Sequence, residues 1–175
     1  MGNKIISDGN ELDTGAFRTA LGQFATGVTI VTTRDATGAP IGLTANSFNS
    51  VSLDPPLILW SLARKSINLA VFEASPHFAI NILAADQKLL SDRFARPVAD
   101  RFESVDWCEG AGGVPVIEGS LASFECAAHR QLDGGDHVIF LGRVLRFRAA
   151  AAENDKEPLV YYAGRYAKAD RQTAA

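Results

Sequence analysis

Two alternating runs joined by a glycine-rich turn constrain this chain more than any other feature. Leu121–Leu132 places Phe124, Cys126 and Ala128 on one side, and Glu125, His129 and Gln131 on the other. That period of two belongs to a strand, because successive side chains point to opposite faces of a sheet. Asp133-Gly134-Gly135-Asp136 follows, with the composition of a tight hairpin turn. His137–Phe147 then returns as the partner strand. A hairpin of this length commits the C-terminal half to an antiparallel sheet.

The N-terminal half points the same way. Asp13 or Thr14 caps a first helix in which Phe17, Leu21 and Phe24 share an apolar face, with Gly27 at its end. Val28–Thr33 is a β-branched strand, Asp35–Pro40 a turn, and Ile41–Ser47 the returning partner. Leu57–Leu62 is apolar throughout, which predicts a central strand buried on both faces. Ser66 caps a short helix over Ile67–Ala74, His77–Leu83 is a strand, and Asp86–Phe94 is a second short helix. Gly110–Gly113 is a turn, and the last strand lies near Leu159–Tyr162. Long helices do not alternate with these strands. That argues against a doubly wound sheet and for an antiparallel barrel. A flexible lead-in over 1–13 and a loose tail over 168–175 flank one expected domain, 14–167.

With 47% hydrophobic residues the chain can bury a full core. Its net charge of −3, with no basic stripe, argues against nucleic acid. Arg143, Arg146 and Arg148 read as the solvated face of one strand. Cys108 and Cys126 form no metal spacing; the two have the option of bridging, but Cys126 reads as a small core residue and Cys108 as incidental. His77, His129 and His137 are scattered, so no metal site is expected. Residues 1–13 lack the apolar core of a signal peptide, and no stretch is long enough to span a bilayer. The expectation is a soluble cytoplasmic protein without membrane contact.

The chemistry concentrates in Thr44–Leu57. Thr44, Asn46, Ser47, Asn49, Ser50 and Ser52 are short, uncharged side chains that donate or accept hydrogen bonds. Arg64-Lys65-Ser66 follows the next strand. A neutral polar rim and then a small basic cluster suit a ligand with a polar ring edge at one end and a phosphate at the other. A solvent-facing strand rich in Ser and Thr is the plainer reading of the rim, and an ordinary N-cap that of Ser66. Trp60 and Phe94 are wall or core. Asp86, Asp92, Asp133 and Asp136 read as cap and turn residues. No GxGxxG follows a strand, so no Rossmann module is expected. Neither a catalytic triad nor a carboxylate pair is visible.

The Thr44–Leu57 run resembles the signature of the flavin reductase-like family, short NAD(P)H:flavin oxidoreductases that serve two-component flavin monooxygenases. The resemblance extends over Phe24–Thr32, Lys65-Ser66, Phe78–Leu83, Asp100-Arg101-Phe102, Gly135-Asp136-His137 and Tyr162–Tyr166, and so covers about Phe17 to Tyr166. It implies a mainly β, antiparallel, FMN-binding split β-barrel of Greek-key type with short flanking helices, usually a homodimer. It implies NAD(P)H-dependent reduction of FMN or FAD, with NADH or NADPH as donor, for a separate monooxygenase. Thr44, Ala45, Asn46, Ser47, Ser50, Val51 and Ser52 would contact the flavin, and Lys65 and Ser66 its phosphate, with Arg64 adding charge and Arg101 carried over as a further contact. His137 and Tyr166 would border the nicotinamide; from the residues alone, His137 also reads as a cross-strand histidine beside a turn aspartate. The competing function is a split barrel that holds flavin permanently as a redox or sensing group.

Overall fold

The long hairpin is the spine of the molecule. The computed structural model describes residues 12–98, 100–151 and 155–169. Within them β9 (Ala122–Gly134) and β10 (His137–Ala149) pair antiparallel along their whole length. The register slips twice, between Leu141 and Gly142 and between Val144 and Arg146. Arg130 faces Leu141 while Ala128 faces Gly142, so His129 is an extra residue. The strict alternation expected across Leu121–Leu132 therefore breaks at His129, as a bulge requires.

Five further strands complete the main sheet: β2 (Thr29–Arg34), β3 (Pro40–Ala45), β4 (Asn49–Leu53), β5 (Pro56–Ala63) and β6 (His77–Ile82). Their order is β3-β2-β6-β9-β10-β5-β4, antiparallel throughout. Two small sheets flank it. β1 (Thr26–Gly27), β11 (Val160–Tyr162) and β12 (Arg165–Ala167) form one, and β7 (Trp107–Glu109) and β8 (Pro115–Ile117) the other. The helices are short: α1 (Thr14–Leu21), α2 (Leu69–Ala74) and α3 (Lys88–Phe94). The protein is mainly β, as expected. β1, β7, β8 and β12 are additions that the sequence pattern did not reveal. No helix among the described residues is long and apolar enough to cross a membrane.

The core sits against the β5–β10 pair. Trp60 stacks on Phe140 at 4.7 Å, with Phe72 edge-on at 4.9 Å and Phe78 at 5.9 Å. These aromatic contacts add to the burial of Val31, Ile58, Leu62, Ile80 and Val138 around them. β5 is not buried on both faces. Ile58, Trp60 and Leu62 are buried, while Leu57, Leu59 and Ser61 are half-exposed. An antiparallel sheet needs cover on one face only, and β5 follows that rule despite its continuous apolar run.

Other local expectations shift for similar reasons. Asp13 caps α1, accepting from the Gly15 and Ala16 N–H groups at 2.8 and 3.0 Å. The helix ends at Leu21 with Gly22 as its cap, while Gly27 lies in β1 opposite Val160. Phe17 and Leu21 of its apolar face are 48% and 59% exposed among the described residues, and Phe24, just beyond the helix, is 75% exposed. α2 begins at Leu69 with Asn68 at the cap; Ser66 accepts from the Asn68 N–H at 3.3 Å, in the turn before the helix.

Arg146 and Arg148 are exposed but not merely solvated. Arg146 donates to the fully buried Glu125 carboxylate at 2.8 and 2.5 Å, Ala111 N–H donates at 2.6 Å, and Arg148 lies 3.4 Å away. Burial pushes the Glu125 carboxyl up, but Arg146, the Ala111 N–H and Arg148 together bring it below its usual range. Cys126 is a free, buried core residue whose thiol burial raises to about 12; Cys108 is also free.

Gly142 marks the tightest point of the spine. A Cβ there would sit 2.4 Å from Phe78 Cζ and 2.9 Å from Cys126 Cβ. Gly142→Ala is expected to destabilise the fold by roughly 1–3 kcal/mol through overpacking. Urea unfolding measures this directly; an unchanged midpoint would show that β10 does not press on Phe78.

Candidate functional site

The polar run Thr44–Ser52 straddles the end of β3, a short loop and β4. Thr44 donates its hydroxyl to the Ser91 carbonyl in α3 at 2.7 Å, which ties the edge strand to the helix. From there a polar chain continues. Ser91 Oγ lies 2.9 Å from the Tyr166 hydroxyl, which donates to Asp92 Oδ1 at 2.9 Å. Lys88 Nζ donates to Asp92 Oδ2 at 2.8 Å and stands 4.9 Å from the centre of the Tyr166 ring. The Lys88 bond, and then the Tyr166 bond, hold the Asp92 carboxyl below its usual range. Burial, with the neighbouring Asp92 charge adding to it, raises the Tyr166 phenol. These groups line a cavity of about 700 Å³, whose wall also includes Ala45, Asn46, Gly164 and Arg165.

Ser47 stands at the next step. Its hydroxyl donates to the Ser61 carbonyl at 2.9 Å and accepts from the Ser61 N–H at 3.0 Å. One side chain thus does the work of a strand-to-strand pair between the β3–β4 loop and β5. Ser50, Val51 and Ser52 lie on β4, at the edge of the main sheet. Ser50 and Val51 are exposed, and Val51 is the extra residue where the β4–β5 register shifts.

The basic cluster lies beyond β5. Arg64 donates to the Gly135 carbonyl and to Asp133, both at 2.8 Å, so its guanidinium is committed to the β9–β10 turn. His137 pairs across from Ala63, and its Nδ1 lies 2.7 Å from Asp136 Oδ1. The His137 bond holds the Asp136 carboxyl below its usual range, with Lys65 contributing charge. Lys65 is exposed and Ser66 half-buried beside them. Arg101 is occupied elsewhere, donating to the Arg96 carbonyl at 2.9 and 2.6 Å and to the Gly42 carbonyl at 2.8 Å. It borders a second cavity of about 800 Å³ whose wall includes Gly42, Ile67 and Asn68.

The structure therefore gathers Thr44, Ala45, Asn46 and Tyr166 at one cavity, and Arg64, Lys65, Ser66 and His137 at one rim. Ser47 and Ser61 join the two. His137 and Tyr166 do not share a cavity wall in this chain: Tyr166 lines the cavity of about 700 Å³ and His137 does not. Lys88, Ser91 and Asp92 join the cavity although sequence reasoning gave them no part in it. The i, i+4 spacing of Lys88 and Asp92 was visible, but what they face depends on β12.

Residues 21–170 match the flavin reductase like domain. The chain belongs to this family. It is 50% identical over 157 residues to the FMN reductase (NADH) SmoA of Agrobacterium fabrum (strain C58 / ATCC 33970), covering 90% of this chain and 87% of SmoA. It is 47% identical to the stachydrine N-demethylase reductase subunit Stc3 of Rhizobium meliloti (strain 1021), covering 79% of this chain but only 60% of Stc3. Among solved structures, the Streptomyces globisporus C-1027 NADH:FAD oxidoreductase SgcE6 superposes with a TM-score of 0.88 at 36% identity, covering 98% of this chain and all of that one (100%). As a flavin reductase-like protein the chain carries its polar run on an edge strand and loop, where main-chain groups remain available beside the side chains.

Ser47→Ala leaves the Ser61 N–H and carbonyl without their partner. The expected cost is about 1–2 kcal/mol, read by urea unfolding. A variant as stable as the parent would mean that water replaces the hydroxyl without loss.

Proposed function

We propose that this chain catalyses the reduction of FMN or FAD by NADH or NADPH and supplies reduced flavin to a separate flavin-dependent monooxygenase. The observation that carries this reading is the polar track from the Tyr166 cavity, through Thr44–Asn46 and the Ser47–Ser61 contact, to Lys65 and Ser66. Its donor set fits a flavin. Asn46 and the main chain around it offer donors and acceptors for a polar ring edge, and Lys65 and Ser66 offer a cation and a hydroxyl for a phosphate. The names of SmoA and SgcE6 favour NADH, and Stc3 is named as the reductase subunit of a demethylase. The flavin and nicotinamide supply the hydride chemistry between themselves, and the protein supplies distance, orientation and exclusion of water. Ser50, Val51 and Ser52 extend the flavin surface along β4. Tyr166 and the other ring nitrogen of His137 approach the dinucleotide from opposite ends of the track, and Arg101 acts on the flavin site by bracing β3.

The same reading includes one domain over 14–167 with a split β-barrel fold. Its support is Ser47–Ser61, which joins the end of β3 to β5 across the sheet order. We also place the protein in the cytoplasm as a homodimer. The exposed Phe17, Leu21 and Phe24 face is an apolar surface of the kind that a second copy covers, and sedimentation at micromolar concentration reads the assembly.

NADH oxidation should rise with added free FMN or FAD. The flavin should be lost on dilution, as an affinity near micromolar, roughly −8 kcal/mol, requires. Turnover independent of added flavin, with colour retained through dilution, would replace the carrier with a bound-flavin module. At the rim, Lys65→Ala with Ser66→Ala should weaken FMN much more than riboflavin, which has no phosphate. His137→Ala should raise the KM for NADH and leave both flavin affinities in place. Equal losses for FMN and riboflavin would remove the phosphate assignment, and a fall in flavin affinity without a change in KM would move His137 to the flavin site.

A further inference from the structure

We propose that Asp92 is a positioning residue for the dinucleotide: it fixes the Tyr166 hydroxyl and the Lys88 ammonium on the wall of the cavity beside Thr44–Asn46. The inference rests on the reading of that cavity as part of the dinucleotide pocket.

Tyr166 needs such help. It sits in β12, a three-residue strand at the edge of a three-stranded sheet, paired on one side only. A strand that short does not hold a large side chain by its own ladder. The ring is held instead by its surroundings. Tyr161 packs against it edge-on at 5.7 Å, and the Lys88 ammonium covers it at 4.9 Å. The hydroxyl is held at two points, by Ser91 Oγ and by Asp92 Oδ1, each at 2.9 Å. A phenol oxygen donates once. Because that proton goes to Asp92, Ser91 must donate to Tyr166, and the direction of the whole chain is set by the carboxylate.

Asp92 holds Lys88 with its other oxygen at 2.8 Å. The two anchors therefore depend on one carboxylate. Ser91 is fully buried and takes Thr44 on its carbonyl, so the arrangement is continuous with the polar run of β3. Asp92 itself is 31% exposed in its side chain and carries none of the core, so its substitution leaves the fold standing. A bound reactant tolerates little displacement from its working geometry. Asp92 bonds to Tyr166 and Lys88, across the same cavity from the Thr44–Asn46 segment assigned to the flavin, so its loss should be felt in dinucleotide binding more than in flavin binding.

The test uses the full chain with saturating FMN and initial rates over a range of NADH. Asp92→Ala should raise the KM for NADH about tenfold, as expected for losing charged hydrogen bonds, and should lower kcat by less. The FMN dissociation constant should stay within about twofold. Asp92→Glu should recover most of the lost affinity. If Asp92 acts through Tyr166, Asp92→Ala combined with Tyr166→Phe should be no worse than the more damaging single change. An unmoved KM in Asp92→Ala, an equal loss of FMN affinity, or effects that multiply in the double variant would each overturn the proposal. Tyr166→Phe separates the two failures. If it raises the KM while Asp92→Ala does not, only the positioning role falls. If it leaves the KM unmoved, the cavity is not the dinucleotide pocket, and the proposal falls with that reading.

Discussion

The β9–β10 pairing is the constraint on which the rest of the molecule depends. It supplies a neighbour to β6 on one side and to β5 on the other, so every strand of the main sheet is placed directly or indirectly by it. Its inner face carries Phe140, on which Trp60 stacks, and Gly142, which lets Phe78 approach. Its turn anchors Arg64, and the first residue of β10, His137, lies opposite Ala63. Core, register and one rim of the candidate site thus share a single element. Such pairing is non-local for β5 and β6, and it commits chain segments far apart in sequence to one geometry.

The site is assembled at the margins of that sheet. The polar run occupies its two edges, β3 and β4, where main-chain groups are not consumed by a further strand. Ser47 brings these margins together through Ser61, and α3 closes one end by way of Thr44 and Ser91. The result is a track with a cavity at one end and a cationic rim at the other. The track lies within the residues that match the flavin reductase like domain.

Glu125 shows how a strand can carry a charge into the interior. Its carboxylate is fully buried, yet its pairing with Arg146 and Arg148 across the hairpin and with the Ala111 N–H keeps it ionised. The bulge in β10 at Leu145 is what brings Arg146 opposite Glu125. Arg146 and Arg148 read with Arg143 as a solvated stripe because their partner, Glu125, lies on the neighbouring strand 21 positions from Arg146, where alternation along one strand does not reach.

Most strands of the main sheet, the hairpin turn and the small polar side chains of the track were legible in the sequence, because each rests on a local signal, and the family was legible in the order of its motifs along the chain. Alternation reports a half-buried strand, Gly-Gly between aspartates reports a turn, and a cluster of small hydroxyl and amide side chains reports hydrogen-bonding capacity. The tertiary structure alone decided three things. It placed Lys88, Ser91 and Asp92 beside Tyr166, because β12 reaches α3 from more than seventy positions away. It separated His137 from Tyr166, because one belongs to the hairpin turn and the other to an edge strand of a different sheet. It left one face of β5 half-open and Phe17 and Leu21 of α1 exposed among the described residues, because burial depends on what lies across a surface, and a sequence records only what lies along it.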